Sequence, residues 1–275
     1  MEIGDGVLDH LRHVAALPDL TATRYELERE IGRGGMGVVY SALDRQLDRR
    51  VALKVLDESF QDEARIMARL EHPSIVPIYE AGTLPDGRVF YAMKLVTGAH
   101  LDDYLGRDPA LAERLRILRR ISEAVAVAHA RGVIHRDLKP QNVMVGEFGE
   151  VYVMDWGIDA IAGTPAFRAP EPMLDQRSDI YSLGALLRFL LRGPAPPALR
   201  AIADKAMQAD PAARYPDVPA FLADIDRFQD GSAVEAWREP LWHRTRRFAS
   251  RNAVLLLLLA AYASIKFLLF FLRGW

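Results

Sequence analysis

At 275 residues, half of them hydrophobic and 26% charged, the chain is large enough for one two-lobed domain or two small ones. A formal net charge of −2 points to no nucleic-acid partner. The absence of cysteine excludes disulfides, zinc–thiolate sites and a cysteine nucleophile, which fits a reducing cytoplasm.

No cationic stretch followed by an apolar core opens the sequence, so no secretory signal peptide is expected. Residues 1–24 form an extension with a short amphipathic segment, Val7, Leu11 and Val14 at helical spacing, ended by Pro18. From Tyr25 to Lys54 the pattern turns β-rich, with runs at Ile31 to Tyr40 and Arg50 to Leu56 and a glycine turn. Ser59 followed by Asp62 reads as a capping box. The helix it opens stripes Phe60, Ala64 and Met67 beside Glu63, Met67 and Leu70. Ile75 to Tyr79 and Arg88 to Val96 read as strands. Beyond Gly98 the chain becomes mainly helical: Leu111 to Arg131 stopped by Gly132, then Asp179 to Leu191, Pro197 to Ala209 and Val218 to Phe228. A short hairpin, Val143 to Val145 and Val151 to Met154, interrupts these helices. Strand-rich then helix-rich, in that order, predicts a two-lobed α+β protein with lobes at 25–97 and 98–229.

The stretch His135-Arg136-Asp137-Leu138-Lys139-Pro140-Gln141-Asn142 puts an acid, a lysine and an amide at the spacing that phosphoryl transfer needs. Asp137 can accept a substrate hydroxyl proton, Lys139 can lie beside the transferring phosphate, and Asn142 can hold a metal ion. Gly32-Arg33-Gly34-Gly35-Met36-Gly37-Val38-Val39 lets backbone approach phosphates without side-chain collision. Because Val38-Val39-Tyr40 continues as a strand, this loop reads as a strand–loop–strand phosphate cover and not as a dinucleotide turn, which would open a helix. Val51-Ala52-Leu53-Lys54 presents a lysine from an apolar strand. Asp155-Trp156-Gly157 sets an acid at a strand end, suited to a second metal ligand. Gly163-Thr164-Pro165, Ala169-Pro170-Glu171 and Ser178-Asp179-Ile180-Tyr181 follow in order.

Together these motifs resemble the eukaryotic-like (Hanks-type) serine/threonine protein kinases of bacteria, from about Tyr25 to Phe228. The resemblance implies a protein-kinase-like fold, with a β-rich N-lobe and a helical C-lobe. It implies a nucleotide site of Ile31, Gly32, Gly34, Gly35, Gly37, Val39 and Ala52. Lys54 would hold the α/β-phosphates, and Glu63 would pair with it. Met93 resembles the gatekeeper, and the backbone of Lys94 and Val96 would meet adenine. Asp137 would be the catalytic base and Lys139 would steady the phosphate, while Asn142 and Asp155 would hold magnesium. Glu171 resembles the acid that pairs with a late arginine, here Arg214. Lys139 and Thr164 match the serine/threonine subclass, and Asp179 belongs to the structural set.

Three places depart from the family. Only eight residues separate Lys54 from Glu63, so the first helix begins late, and Glu58 and Asp62 are rival partners for the lysine. The activation segment is short, and residues 156–163 contain no serine, threonine or tyrosine to give Arg136 a phosphate partner. Two readings of Asp159 stay open: a fixed carboxylate near Arg136, or a solvated acid. Finally, Leu191-Arg192-Gly193 runs almost directly into Pro196-Pro197, so the helix that relatives use for docking substrates is expected to be missing.

A basic linker at 230–252 leads into Ala253 to Leu272, where a transmembrane helix is expected. Twenty residues at ~1.5 Å each make about 30 Å, the thickness of a hydrocarbon core. Thirteen of the twenty are Leu, Ile, Phe or Val, worth roughly 4–8 kcal/mol at about 0.3–0.6 each. Against them stands Lys266, at roughly 2.5–3.5 kcal/mol, off-centre and expected to snorkel toward the C-terminal side. Insertion wins, and an interfacial helix would need a polar face that the segment lacks. Arg238, Arg244, Arg246, Arg247 and Arg251 precede the span and Arg273 alone follows it. The positive-inside rule therefore expects a single-pass protein of the cell (inner) membrane, with its kinase domain cytoplasmic and its C-terminus outside. Three residues follow the span, so no external sensor domain is expected.

The expected function is transfer of the ATP γ-phosphoryl group to protein serine or threonine hydroxyls at the cytoplasmic membrane face. ATP and Mg2+, or Mn2+ in its place, are the expected cofactors. The alternative is a catalytically weak or inactive pseudokinase, a membrane-tethered ATP-binding scaffold. A small-molecule kinase is disfavoured by Gly163-Thr164-Pro165 and Ala169-Pro170-Glu171. Expected partners are protein substrates of unspecified identity and the lipid bilayer through 253–272. Self-association in the membrane plane would raise the local concentration for trans-phosphorylation.

Overall fold

Residues 17–34, 37–56, 69–156, 166–237 and 253–273 are described by a computed structural model, with side chains of the last stretch described over 257–267. The amphipathic segment near the N-terminus and the helix expected after Ser59 lie outside these residues.

The apolar run around Lys54 behaves as the middle of a sheet. Five antiparallel strands, β1 (Tyr25–Gly34), β2 (Gly37–Asp44), β3 (Arg49–Leu56), β4 (Ile78–Thr83) and β5 (Val89–Lys94), pair in the order β1-β2-β3-β5-β4. From Val51 onward β3 is buried at every position, because it is flanked by strands on both edges and covered on both faces. Its period of two divides the side chains. Val51, Leu53 and Val55 enter a core with Tyr25, Tyr40 and Phe90, whereas Ala52, Lys54 and Leu56 take the opposite face with Tyr91 and Met93. That alternation aims the buried lysine toward the helical lobe.

The helical lobe comprises α1 (Leu101–Leu105), α2 (Leu111–Ala130), α3 (Gln176–Leu190), α4 (Pro197–Ala206) and α5 (Val218–Gln229). A small sheet, β6 (Gly98–His100), β7 (Val143–Gly146) and β8 (Val151–Val153), lies on it in the order β6-β7-β8. The central helix is α3: Ile180, Leu183, Leu186, Leu187 and Leu190 are all fully buried. An apolar helix of this kind must be enclosed by others. It starts three residues before the predicted Asp179. Asp175 accepts from the Arg177 N–H at 2.7 Å and Ser178 Oγ accepts from the Asp175 N–H, a capping box that propensity alone did not signal.

Other boundaries move for local reasons. The strand expected at Ile75 to Tyr79 forms instead at Ile78–Thr83, since Pro77 has no N–H for a ladder. Ile75 makes an isolated parallel bridge to Val153. The second strand is shorter than Arg88 to Val96, and α4 stops at Ala206, short of Ala209. Both β6 and α1 are too short to show a period in sequence.

Between α3 and α4, residues 191–196 contain no helix, and the chain turns straight back. Arginines satisfy carbonyls around this turn: Arg114 donates to Leu190 O at 3.2 Å, Arg192 to Leu105 O at 3.3 Å, and Arg200 to Ala195 O at 2.6 and 2.9 Å. The short return brings α3 and α4 close, and Gly184 sits at the contact.

The last helix, α6 (Ala253–Arg273), has 21 residues, and its described large apolar side chains, Leu257 and Phe267 among them, are exposed. Counting described residues alone, no helix is long and apolar enough to cross a membrane; the fully described part, 257–267, rises only about 16 Å. The Lys266 ammonium lies 5.8 Å from the Tyr262 ring, one turn toward the N-terminus. That placement follows the N-terminal tilt of every helical Cα–Cβ bond.

A Cβ at Gly184 would lie 2.6 Å from Ala206 Cβ and 3.1 Å from Ala203 O. Gly184→Ala should therefore cost about 1–3 kcal/mol by overpacking, read as a lowered denaturation midpoint; an unchanged midpoint would mean that α3 and α4 part easily.

Candidate active site

The lobes enclose a cleft of about 430 Å³. Its roof carries Ile31, Gly32, Gly37, Val39 and Ala52, its back Met93, Lys94 and Val96, and its floor Asp137, Lys139, Asn142 and Asp155. Lys54 reaches in between. Gly34 closes the β1–β2 hairpin as the register partner of Gly37. Gly35, Glu63, Asp159 and Thr164 lie outside the described residues.

The glycines divide by what they face. A Cβ on Gly37 would fall 2.1 Å from Val55 O, so β3 itself forbids a side chain there. At Gly32 the nearest atom to a Cβ would be Val39 Cβ at 3.9 Å. The fold does not require that glycine, and a side chain there would fill cleft space instead.

Deep in the cleft, Lys54 is 6% exposed and its Nζ donates to Asp155 Oδ1 at 2.9 Å. Burial pushes the Asp155 carboxyl up, but the Lys54 charge and hydrogen bond outweigh it, with His135 and Lys139 adding to them, and hold it below the usual carboxylate range. Asp137 is pinned from two sides: Lys139 Nζ donates to its Oδ2 at 2.6 Å and Asn142 Nδ2 to the same oxygen at 3.0 Å. Asn142 Nδ2 also donates to Asp137 O at 2.7 Å. With its amide nitrogen so engaged, Asn142 keeps its carbonyl oxygen available as an acceptor.

This donor set fits a hard divalent cation. Asp155 offers a carboxylate and Asn142 an amide oxygen, few enough that phosphate oxygens and water would complete the sphere, as magnesium sites do. Among the described residues no group of three or more His, Cys, Asp or Glu gathers as a metal site.

The loop itself is held from below. Arg136 adopts φ 69°, uncommon for a side chain of its size. Asp179, fully buried in α3, accepts from the His135 N–H at 2.8 Å and the Arg136 N–H at 3.0 Å, while His129 Nε2 lies 2.8 Å from its Oδ2. His135 is enclosed and packs on Trp156 with the rings tilted by 45° and their centroids 4.7 Å apart, and burial pushes its imidazole below the usual range. Trp156 is itself fully buried and donates to Val153 O at 3.0 Å.

Sequence reasoning missed several lining residues, including Met144 and Met154. The signal was present for Met144: Val143 and Val145 are buried, so the period of two sends Met144 to the cleft. His129 carried no signal, since a histidine near a helix end is ordinary.

Glu171 and Arg214 form a two-pronged pair, both contacts 2.7 Å, with the arginine side chain fully buried and Ser178 Oγ donating to Glu171 Oε1 at 2.8 Å.

Residues 25–213 match the sequence profile of the protein kinase domain. The chain belongs to the protein kinase family. It is 33% identical to the serine/threonine-protein kinase pkn3 of Myxococcus xanthus over 85% of this chain and 54% of that protein. It is also 33% identical to PknB of Mycolicibacterium smegmatis, over 80% of this chain and 45% of that protein. PknL of Mycobacterium tuberculosis is 32% identical over 80% and 69%. Among solved structures, the M. tuberculosis PknI kinase domain is similar with a TM-score of 0.60 and 29% identity, over 76% of this chain and 96% of that one. The chain spans about half or less of the length of the first two relatives.

The Glu171–Arg214 pair generates an acid-stability prediction. Burial raises the Glu171 carboxyl, but Arg214, its own backbone and Ser178 outweigh it, so the folded value is depressed. Stability from this group is thus complete above an unfolded carboxyl pKa of about 4.3 and is lost as pH falls through the lower folded value. Glu171→Gln leaves a buried guanidinium without its counter-charge and should cost about 3–5 kcal/mol at neutral pH. Melting curves from pH 7 to 3 check both points: the variant should melt lower at pH 7 and lose part of the parent's slope below pH 5.

Proposed function

We propose that the protein is a serine/threonine protein kinase that transfers the γ-phosphoryl group of ATP to protein hydroxyls, working with Mg2+ or Mn2+. The observation that supports this reading best is the pinned Asp137 carboxylate, which shares one cleft with the Lys54–Asp155 pair. Lys139 and Asn142 hold Asp137 so that an incoming hydroxyl meets a fixed acceptor, and orientation of this kind lowers the barrier. Lys54 sits in a buried position where its charge acts strongly on phosphate oxygens. Lys139, beside Asp137, would steady the charge that develops on the transferred group. A divalent cation bound by Asp155 and Asn142 would neutralise phosphate charge. The apolar roof and back, Val39, Ala52 and Met93, suit a purine ring.

Labelled phosphate transfer from ATP to a generic protein, by the full chain in detergent, tests the reading. Asp137→Asn should lower kcat by roughly 10²–10⁴-fold while ATP binding persists. A parent that binds ATP but transfers nothing would establish the scaffold alternative.

A single-pass anchor through Ala253–Arg273, with the kinase on the cytoplasmic side, completes the proposal. In its favour, 21 helical residues reach about 32 Å, and the arginines from Arg238 to Arg251 flank the N-terminal end. Alkaline extraction of membranes from expressing cells should leave the full chain in the pellet and release a chain ending at residue 250. Release of the full chain would sink the anchor.

A further inference from the structure

The residue whose backbone faces adenine in the reading above is Lys94, at the end of β5, and three contacts fix it. It pairs in register with Val51, its N–H donates to Pro77 O at 3.1 Å, and its ammonium donates to the Tyr152 phenol oxygen at 2.5 Å. Val51 and Pro77 belong to the strand-rich lobe. Tyr152, on β8, belongs to the helical one. Of the three contacts, only the side-chain contact therefore crosses between lobes.

Its chemistry suits a standing restraint. Tyr152 is 6% exposed, and the Lys94 Nζ lies 4.8 Å from its ring centroid. The hydrogen bond it donates to the phenol oxygen outweighs burial and holds the ammonium above the usual lysine range, so the charge persists at neutral pH. Lys94, in the segment that leads from the strand-rich lobe to the helical one (the hinge), lines both the nucleotide cleft and a second, more open groove that includes His72, Pro73 and Tyr152. Beside it, the Val153 N–H donates to Ser74 O at 2.8 Å and Ile75, buried in the helical-lobe core, bridges to Val153, so β8 is also held at Tyr152's neighbour. Three residues after Tyr152 comes Asp155, the carboxylate at the phosphate end. One short strand therefore ties the adenine end of the cleft to its metal end.

We propose that the Lys94–Tyr152 contact is a hinge latch that sets the spacing between the two ends of the nucleotide cleft, making Tyr152 a positioning residue for ATP. The latch rests on the kinase reading for its ligand, but it is decided by binding and not by transfer alone.

The test uses the full chain in detergent, with equilibrium binding of a fluorescent ATP analogue and steady-state phosphate transfer. Tyr152→Phe keeps the ring and removes the acceptor. It should raise Kd and the KM for ATP by roughly three- to tenfold and leave kcat within about twofold. Lys94→Met should weaken binding similarly, Lys94→Arg should restore most of it, and the double variant should bind no worse than either single one. Unchanged Kd in Tyr152→Phe, additive losses in the double variant, or a fall in kcat without a change in KM would each overturn the latch. A parent that binds ATP yet transfers nothing sinks the kinase reading and leaves the latch to be decided by Kd. A parent that binds no ATP overturns both.

Discussion

One buried carboxylate organises the chemistry of this chain. Asp179 stands fully buried near the start of α3, and it holds two consecutive backbone N–H groups of the loop that carries Asp137. A loop with Arg136 at φ 69° does not keep that shape by local preference, because the left-handed region is costly for a long side chain. The cost is offset by these contacts from α3, a helix packed in the helical-lobe core and capped by Asp175 and Ser178. Helix packing thus reaches the Asp137 loop through a single side chain, and His129 closes the same carboxylate from α2.

Much of this was legible in the sequence, and the reasons are local. The stretch from His135 to Asn142 and the alternation around Lys54 are short-range patterns, and spacing alone sets which side chains share a face. The strand-then-helix order follows from the same periodicities. The Asp179 contacts are different in kind. They join residues more than forty positions apart, and no period links a helix start to a loop that distant. The capping box at Asp175 was readable in principle, but its Ser178 stands where Glu or Gln is the familiar signal. Pro77 shifted β4 because a missing N–H counts for more than the apolar run around it.

The turn between α3 and α4 shows how a domain tolerates a shortened connection. Cutting a segment exposes carbonyls that would otherwise have partners, and an unpaired buried carbonyl costs about as much as a lost hydrogen bond. Arg114, Arg192 and Arg200 supply donors at that surface. The repair is polar and leaves the apolar core undisturbed, with Leu187, Leu190 and Leu199 all fully buried.

The two ion pairs on either side of the activation segment differ in the length of chain they close. Lys54–Asp155 joins residues 101 positions apart, and Glu171–Arg214 joins residues 43 apart. Closure cost grows only with the logarithm of length, so the contact that clamps one lobe to the other is entropically little dearer than the one inside the helical lobe.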